Sequence, residues 1–233
     1  VAIKVMHPEL ARDRKIAARF AHEARLSSQL KHDGIVRIVA IGDDKEPEQF
    51  EGAPLYYYVM ELLFGDDLSA RIKQRGAFSH ARSVEIAIEV LHALAYAHGR
   101  GVVHRDIKPE NIMLCRDPKR PLREIVKVLD FGIAKVLDAS EDVSLPDEAP
   151  TNVRSVLTRV GGWVGTPAYM SPEQGRAEQV DHRSDLYAVG VLLFELLTGQ
   201  VPFDGETPLQ ILARHVHEPP PKPSSVAEVA PGL

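Results

Sequence analysis

The 233-residue sequence has little cysteine, no long apolar run and no excess of positive charge. Its single cysteine, Cys115, cannot form a disulfide within the chain, which excludes a disulfide-stapled secreted scaffold and favours a reducing compartment. The best apolar run, 188–197, contains Glu195 and is much shorter than the roughly 20 residues of a membrane-spanning helix. A net charge of -5 argues against a nucleic-acid partner, because binding to phosphate backbones needs clustered lysine and arginine.

The remaining composition is that of an ordinary folded protein. With 44% hydrophobic and 26% charged residues, the chain is neither collagen-like nor of low complexity nor disordered. Its length suits one large domain or two lobes that share a cleft. The sequence begins at Val1 without an initiator methionine or a signal peptide, so we expect it to be part of a longer protein.

The predicted elements change from mainly strands to mainly helices near residue 64. Residue patterns typical of strands surround one amphipathic helix in the first part, with strands over 1–6, 35–41 and 55–63 and the helix over 11–30. Later apolar periodicity predicts helices over 68–75, 79–98, 183–197 and 208–216. Two short strands, 112–114 and 125–129, are predicted to form a hairpin, and the acidic segment 138–151 is predicted to be a mobile loop.

Polar clusters stand beside apolar strands or turn residues at four places. The clusters are Lys4, Glu23, His104-Arg105-Asp106 with Lys108 and Asn111, and Asp130-Phe131-Gly132. Each cluster by itself is consistent with a solvated side chain or a turn. Together, the oxygens of Asp106, Asn111 and Asp130 are ligands that Mg²⁺ prefers, and the lysines provide positive charge for phosphate groups.

In this order the motifs resemble those of protein kinases, and specifically the eukaryotic-like serine/threonine kinases of bacteria. Val-Ala-Ile-Lys, His-Arg-Asp-Ile-Lys-Pro-Glu-Asn, Asp-Phe-Gly and Gly-Thr-Pro-Ala-Tyr-Met-Ser-Pro-Glu follow one another between Val1 and about Pro221. The resemblance implies an α+β, two-lobed protein-kinase-like fold. Residues 1–63 would form a small, β-rich and incomplete N-lobe, and residues 64–233 a larger, mostly helical C-lobe.

The resemblance also implies catalytic roles for four residues. Lys4 would contact the α- and β-phosphates of ATP and be held there by an ion pair with Glu23. Asp106 would orient the acceptor hydroxyl and take its proton. Lys108 would screen charge on the transferring phosphoryl group.

The expected cofactors are ATP and Mg²⁺, with Mn²⁺ as the alternative ion. By resemblance, Asn111 and Asp130 would hold the metal. The resemblance further implies an adenine and ribose site formed by Ala2, Met60, Glu61, Leu63, Asp67 and Met113. For the methionines and the leucine, ordinary core packing remains an alternative.

The resemblance implies regulation through an activation segment. Arg105 indicates control by phosphorylation, because an arginine there can pair with a phosphate through two hydrogen bonds. Phe131 would pack beneath the mobile helix. Thr166 and Lys108 favour serine/threonine over tyrosine specificity, and Thr158 is predicted as the main autophosphorylation site.

One motif of the family is missing, because no Gly-x-Gly-x-x-Gly occurs in the sequence. In relatives this glycine-rich loop lies upstream of the Val-Ala-Ile-Lys strand. We therefore expect the 233 residues alone to have an exposed sheet edge and to bind ATP weakly.

The predicted function is phosphoryl transfer from ATP to serine and threonine hydroxyls of proteins, including the chain's own activation loop. A pseudokinase that acts as a scaffold is the alternative if the glycine-rich loop is degenerate. A small-molecule kinase of related fold is disfavoured by the Gly-Thr-Pro to Ser-Pro-Glu segment, which shapes a peptide-binding shelf. The family further implies a cytoplasmic catalytic portion, a parent protein that can carry a membrane anchor, and homodimers for trans-autophosphorylation.

Overall fold

The computed structural model describes residues 1–44, 54–117, 120–131 and 166–227. Two antiparallel sheets of three strands lie in the two lobes of these residues. The small-lobe sheet has the order β1-β3-β2, with β1 at Ala2–Val5, β2 at Ile38–Asp44 and β3 at Leu55–Met60. The second sheet has the order β4-β5-β6, with β4 at Gly65–Asp67, β5 at Ile112–Asp117 and β6 at Arg120–Val128. The predicted α+β class is confirmed, and the predicted hairpin is β5-β6.

The small lobe contains one long helix, α2 (Arg14–Ser28), preceded by the single turn α1 (Pro8–Ala11). The sequence predicted one helix from residue 11. Asp13 interrupts it because its backbone is extended and its carboxylate accepts hydrogen bonds from the N–H groups of Lys15 and Ile16. The apolar face of α2 then packs on β3, where the Phe20 and Tyr58 rings lie 5.6 Å apart.

Helix bounds in the large lobe follow the capping residues of the sequence. The helices among the described residues of this lobe are α3 (Leu68–Arg75), α4 (His80–His98), α5 (Pro172–Gly175), α6 (His182–Thr198) and α7 (Pro208–His217). Side chains of Asp67, Ser79 and Thr207 accept hydrogen bonds from first-turn N–H groups. Gly199 ends α6 with φ of +77°, a conformation that glycine adopts without a steric penalty.

Helices α4 and α6 form the centre of the large-lobe core. Ile86, Val90 and Leu94 of α4 and Leu192 and Leu196 of α6 are completely buried. Complete burial of one such side chain contributes about 1.5–3 kcal/mol. In the part of the chain that the structure describes, no helix is both long and apolar enough to cross a membrane.

The lobes are joined where Ile35 and Val36 meet Val128. The sequence predicted a strand from residue 35, but β2 begins only at Ile38. The N–H of Val36 donates to the carbonyl of Val128 at 3.0 Å, and the N–H of Val128 donates to the carbonyl of Gly34 at 2.8 Å. Residues 35 and 36 therefore pair with the large lobe instead of the small-lobe sheet.

Asp185, on the first turn of α6, supports the segment that carries the His104-Arg105-Asp106 motif. It is 1% exposed and accepts hydrogen bonds from the backbone N–H groups of His104 at 2.8 Å and Arg105 at 2.7 Å. Nε2 of His98, at the end of α4, lies 2.7 Å from the same carboxylate. Burial would raise the pKa of Asp185, but these donors outweigh burial and hold that pKa below its ordinary value.

We predict that Asp185→Ala lowers the free energy of unfolding by about 3 kcal/mol or more, since two buried N–H groups lose their acceptor at about 1–3 kcal/mol each. Urea unfolding at pH 7 measures the change. Asp181→Ala is the matched control, because Asp181 caps the same helix from the surface and its loss should cost less.

Wild type and Asp185→Ala also test how the stabilisation by Asp185 depends on pH. Because the folded pKa of Asp185 lies below the roughly 3.9 of an unfolded aspartate, its stabilisation is complete above about pH 5 and declines as pH falls through the folded pKa. The difference between wild type and Asp185→Ala should therefore narrow as the pH falls below about 4. A difference that grows below about pH 4 would contradict this account.

Candidate active site

Asp106 is the centre of a cluster with Lys108 and Asn111. Nζ of Lys108 lies 2.8 Å from Oδ2 of Asp106. Nδ2 of Asn111 donates to the backbone carbonyl of Asp106 at 2.8 Å and to its Oδ2 at 3.0 Å. The tight 3₁₀ turn Pro109–Asn111 makes these contacts possible over five residues. The Asp106 side chain remains 25% exposed, so its carboxylate can still meet a substrate.

The backbone around Asp106 is fixed by its neighbours. His104 is completely buried, and its Nε2 lies 2.7 Å from the carbonyl of Leu129. Arg105 has φ of +67°, an unfavourable conformation that its contacts with Asp185 and Gln174 stabilise. The structure thus places Asp106 on a rigid support.

Asp130 follows β6 and points into the space between the lobes. Its Oδ2 lies 2.5 Å from Nζ of Lys4 on β1, and its Oδ1 accepts a hydrogen bond of 2.7 Å from the Tyr58 hydroxyl on β3. Its backbone also has a positive φ of +56°. Glu23 lies in α2, but its side chain is outside the described part of the structure, so the ion pair between Lys4 and Glu23 stays a prediction.

Phe131, the residue after Asp130, contacts both lobes. It is 2% exposed, and its ring meets the ring of His104 edge to face at 4.8 Å. Its carbonyl accepts a hydrogen bond of 2.9 Å from the hydroxyl of Ser27 in α2. A hydrogen bond that the sequence did not suggest therefore joins the Phe131 backbone to this helix, and the packing of its ring beneath the helix stays a prediction.

Asn111 and Asp130 have the donor chemistry that a hard divalent cation requires. Because the Asn111 amide nitrogen donates to Asp106, its Oδ1 is left as an acceptor. Each Asp130 oxygen accepts one hydrogen bond and has further lone pairs. The backbone joins the two residues, because the N–H of Leu129 donates to the Asn111 carbonyl at 2.8 Å. This set of oxygens fits Mg²⁺ or Mn²⁺.

The residues predicted for adenine and ribose lie in both lobes and in the connection between them. Ala2 and Met60 are partners across β1 and β3, and Asp67 and Met113 are partners across β4 and β5. Leu63 lies in the connection. Asp67 also caps α3 through a 2.7 Å hydrogen bond to the N–H of Ala70.

Glu61 begins the connection, and its carboxylate bonds to the protein. It accepts hydrogen bonds from Nζ of Lys127 at 2.8 Å and from the backbone N–H of Arg37 at 2.9 Å. Burial would raise the pKa of Glu61, but these two donors outweigh it and lower the pKa below its usual range. The carboxylate at the start of the connection is therefore anchored to both lobes.

Of the two threonines predicted to be regulatory, the structure describes only Thr166. Thr166 precedes the 3₁₀ turn Pro167–Tyr169 and makes no capping hydrogen bond with its side chain. The Tyr169 hydroxyl donates to Glu195 of α6, which anchors this turn. Thr158 and the acidic segment 138–151 lie outside the described residues.

Four side chains of the site were missed by the sequence analysis: Ser27, Tyr58, His98 and Lys127. Each makes a hydrogen bond with a residue from a distant part of the chain, and these partners are Phe131, Asp130, Asp185 and Glu61, respectively. Only Tyr58 gave a usable signal. Side chains alternate along a strand, so Tyr56 and Tyr58 had to share one face of the sheet, with Tyr57 on the other.

Comparison with known proteins agrees with this geometry. Residues 1–227 match the protein kinase domain family. The serine/threonine-protein kinase pkn3 of Myxococcus xanthus is 42% identical over 96% of the chain and 37% of its own length. The probable serine/threonine-protein kinase PknB of Bifidobacterium longum is 41% identical over 100% of the chain and 31% of its own length. The chain thus spans about a third of each of these relatives.

The fold is also that of a solved kinase domain. The crystal structure of a mutant PknI kinase domain from Mycobacterium tuberculosis superposes with a TM-score of 0.63 at 26% identity, over 96% of this chain and 69% of that one. The chain belongs to the protein kinase domain family, among relatives that are bacterial serine/threonine kinases.

Proposed function

We propose that this chain transfers the γ-phosphoryl group of ATP to serine and threonine hydroxyls of proteins. The observation that carries the proposal is the contact among Asp106, Lys108 and Asn111, joined through Leu129 to Asp130. A general base, a cation and two oxygen ligands are thereby assembled on one rigid segment. Phosphoryl transfer requires such positioning more than covalent catalysis.

In this mechanism Asp106 accepts a hydrogen bond from the substrate hydroxyl, orients its oxygen and takes its proton. Lys108, whose contact with Asp106 supports this role, stabilises negative charge on the transferred group. Asn111 holds the Asp106 carboxylate in place through its amide nitrogen. Loss of any of these contacts would misplace the base.

Asn111 and Asp130 are the residues that would hold Mg²⁺ or Mn²⁺. When bound, the metal neutralises charge on the phosphates of ATP. Lys4 binds the α- and β-phosphates and is held by Glu23. The chain's remaining contribution is the adenine site, with Ala2, Met60, Met113 and the backbone of 61–63 around the base and Asp67 at the ribose.

A protein substrate is favoured by the way the segment after Thr166 is attached. Ser171 and Gln174 form a reciprocal capping box at α5, and Nε2 of Gln174 donates to the Arg105 carbonyl at 2.9 Å. This contact joins a peptide-binding shelf to the catalytic segment next to Asp106. A small-molecule kinase has no need of such a shelf.

The proposal extends to location and assembly. A cytoplasmic catalytic portion is in keeping with the single cysteine, which is buried and unpaired. Autophosphorylation between two copies of the protein is part of the same proposal. A pseudokinase is disfavoured because Lys4, Asp106, Asn111 and Asp130 all retain functional side chains.

We predict that Asp106→Asn in the full-length protein lowers the rate of phosphoryl transfer by about 10²–10⁴-fold, because the amide cannot accept the proton. Radiolabelled phosphate transfer to a protein substrate measures the rate. Asp204→Asn is the matched control, since Asp204 accepts a hydrogen bond from the adjacent Gly205 N–H in an exposed turn. Equal labelling by wild type and Asp106→Asn would contradict the proposed function.

We also predict that active protein carries phosphate on Thr158. Thr158→Ala should lower activity, because Arg105 would lose a phosphate partner, whereas Thr151→Ala should retain it. Mass spectrometry of protein incubated with ATP locates the phosphate. Phosphate found only at other residues would overturn the assignment.

A further inference from the structure

The carboxylate of Asp130 has a hydrogen-bond donor on each oxygen, and the two donors differ in their freedom. Lys4 binds Oδ2 at 2.5 Å from a side chain that is 37% exposed. Tyr58 donates to Oδ1 at 2.7 Å from a residue that is only 1% exposed. Lys4 can therefore move to another partner, while the Tyr58 hydroxyl is confined to Asp130.

The sheet register brings the two donors together. Lys4 and Tyr58 are directly opposite each other on β1 and β3, so their side chains share one face of the sheet. The Tyr58 ring packs on Phe20 of α2, which fixes the ring in the small-lobe core. Phenylalanine would fill the same volume, so the core does not require the hydroxyl. The Tyr58 hydroxyl is instead accounted for by its hydrogen bond to Asp130, because a buried hydroxyl without a partner would be destabilising.

A donor at this position limits the rotation of the Asp130 carboxylate. The terminal torsion of aspartate has a broad energy profile, so the side chain does not fix its own plane. The backbone on either side is already held, by the Leu129 N–H hydrogen bond to the Asn111 carbonyl and by the Ser27 hydrogen bond to the Phe131 carbonyl. Tyr58 adds the remaining constraint. Burial and the adjacent carboxylate raise the pKa of Tyr58, which keeps the hydroxyl protonated as a donor.

The proposed function gives this contact its importance. If Lys4 moves to the phosphates when ATP binds, Oδ2 of Asp130 loses its donor at the moment it is needed as a metal ligand. Tyr58 is then the side chain that still orients the carboxylate. Groups that hydrogen-bond to metal ligands in this way typically change metal affinity or activity by about 10–100-fold when removed.

We propose that Tyr58 is a positioning residue for Asp130, whose carboxylate it holds in the orientation that binds the metal of the nucleotide complex. The inference rests on the proposed function, because that function makes Asp130 a metal ligand. It assigns Tyr58 an effect on metal affinity and none on the affinity for nucleotide without metal. A purely structural role would weaken both affinities or lower only the stability.

The test measures Mn²⁺ affinity in the full-length protein with a saturating non-hydrolysable ATP analogue, using electron paramagnetic resonance of free Mn²⁺. Tyr58→Phe should weaken Mn²⁺ binding by about 10-fold or more. Affinity for the analogue in EDTA, measured by calorimetry, should be unchanged. Tyr57→Phe is the matched control, since the Tyr57 ring lies over Gly42 on the opposite face of β3, and it should bind Mn²⁺ like wild type.

A double-mutant cycle with Asp130→Asn separates the possible failures. In the Asp130→Asn background, Tyr58→Phe should cause no further loss of Mn²⁺ affinity. An unchanged Mn²⁺ affinity in Tyr58→Phe, with a loss in Asp130→Asn, would overturn this inference and leave the proposed function intact. An unchanged affinity in Asp130→Asn would overturn both. Equal losses from Tyr58→Phe in the two backgrounds, or a parallel loss of metal-free nucleotide binding, would also overturn the inference.

Discussion

The end of β6 and the three residues after it, 127–131, hold the lobes to each other. Four of these five residues bond to the small lobe, through the partners Lys4, Ser27, Gly34, Val36, Tyr58 and Glu61. The fifth, Leu129, forms hydrogen bonds with Asn111 and His104, which lie on either side of Asp106 in the sequence. A single stretch of five residues thus sets the positions of Asp106, Asn111, Asp130 and the small lobe relative to one another.

This arrangement makes the site sensitive to small changes elsewhere. Val126 and Val128 are almost completely buried, so β6 cannot shift without disturbing the large-lobe core. Each internal hydrogen bond contributes only about 0.5–1.5 kcal/mol net, but a buried donor or acceptor that loses its partner costs more. The hydrogen bonds of this strand therefore act mainly by holding the strand in one position relative to the two lobes. Asp130 and Asp106 are positioned by the same residue. Asp130 follows Leu129 in the chain, and Asn111, which holds Asp106, accepts a hydrogen bond from the Leu129 N–H.

The sequence predicted best where the determining signal is local. Helices α3, α4 and α6 have nearly the predicted bounds because Asp67, Ser79 and Gly199 act on the adjacent turn. The order of motifs likewise predicted the cluster around Asp106, where the contacts span five residues or fewer. These features depend on the chain over one or two turns.

Features that depend on distant parts of the chain were not predictable in the same way. Ile35 and Val36 have the residue types of a strand, but they pair with Val128 in the other lobe. The contact of Tyr58 with Asp130 spans 72 residues and follows from sheet register. Periodicity indicates which face of a strand is buried, and it carries no information on which strand lies alongside.

The anchoring of Glu61 has a consequence for movement of the lobes. Its carboxylate is tied to Lys127, and its backbone N–H donates to the Arg37 carbonyl at 3.0 Å. The chain cannot bend at this residue without breaking an ion pair that is largely shielded from water. Just beyond it, Leu62 and Phe64 are 50% and 72% exposed. Movement of one lobe against the other would therefore have to break the Glu61 ion pair or bend the chain beyond it.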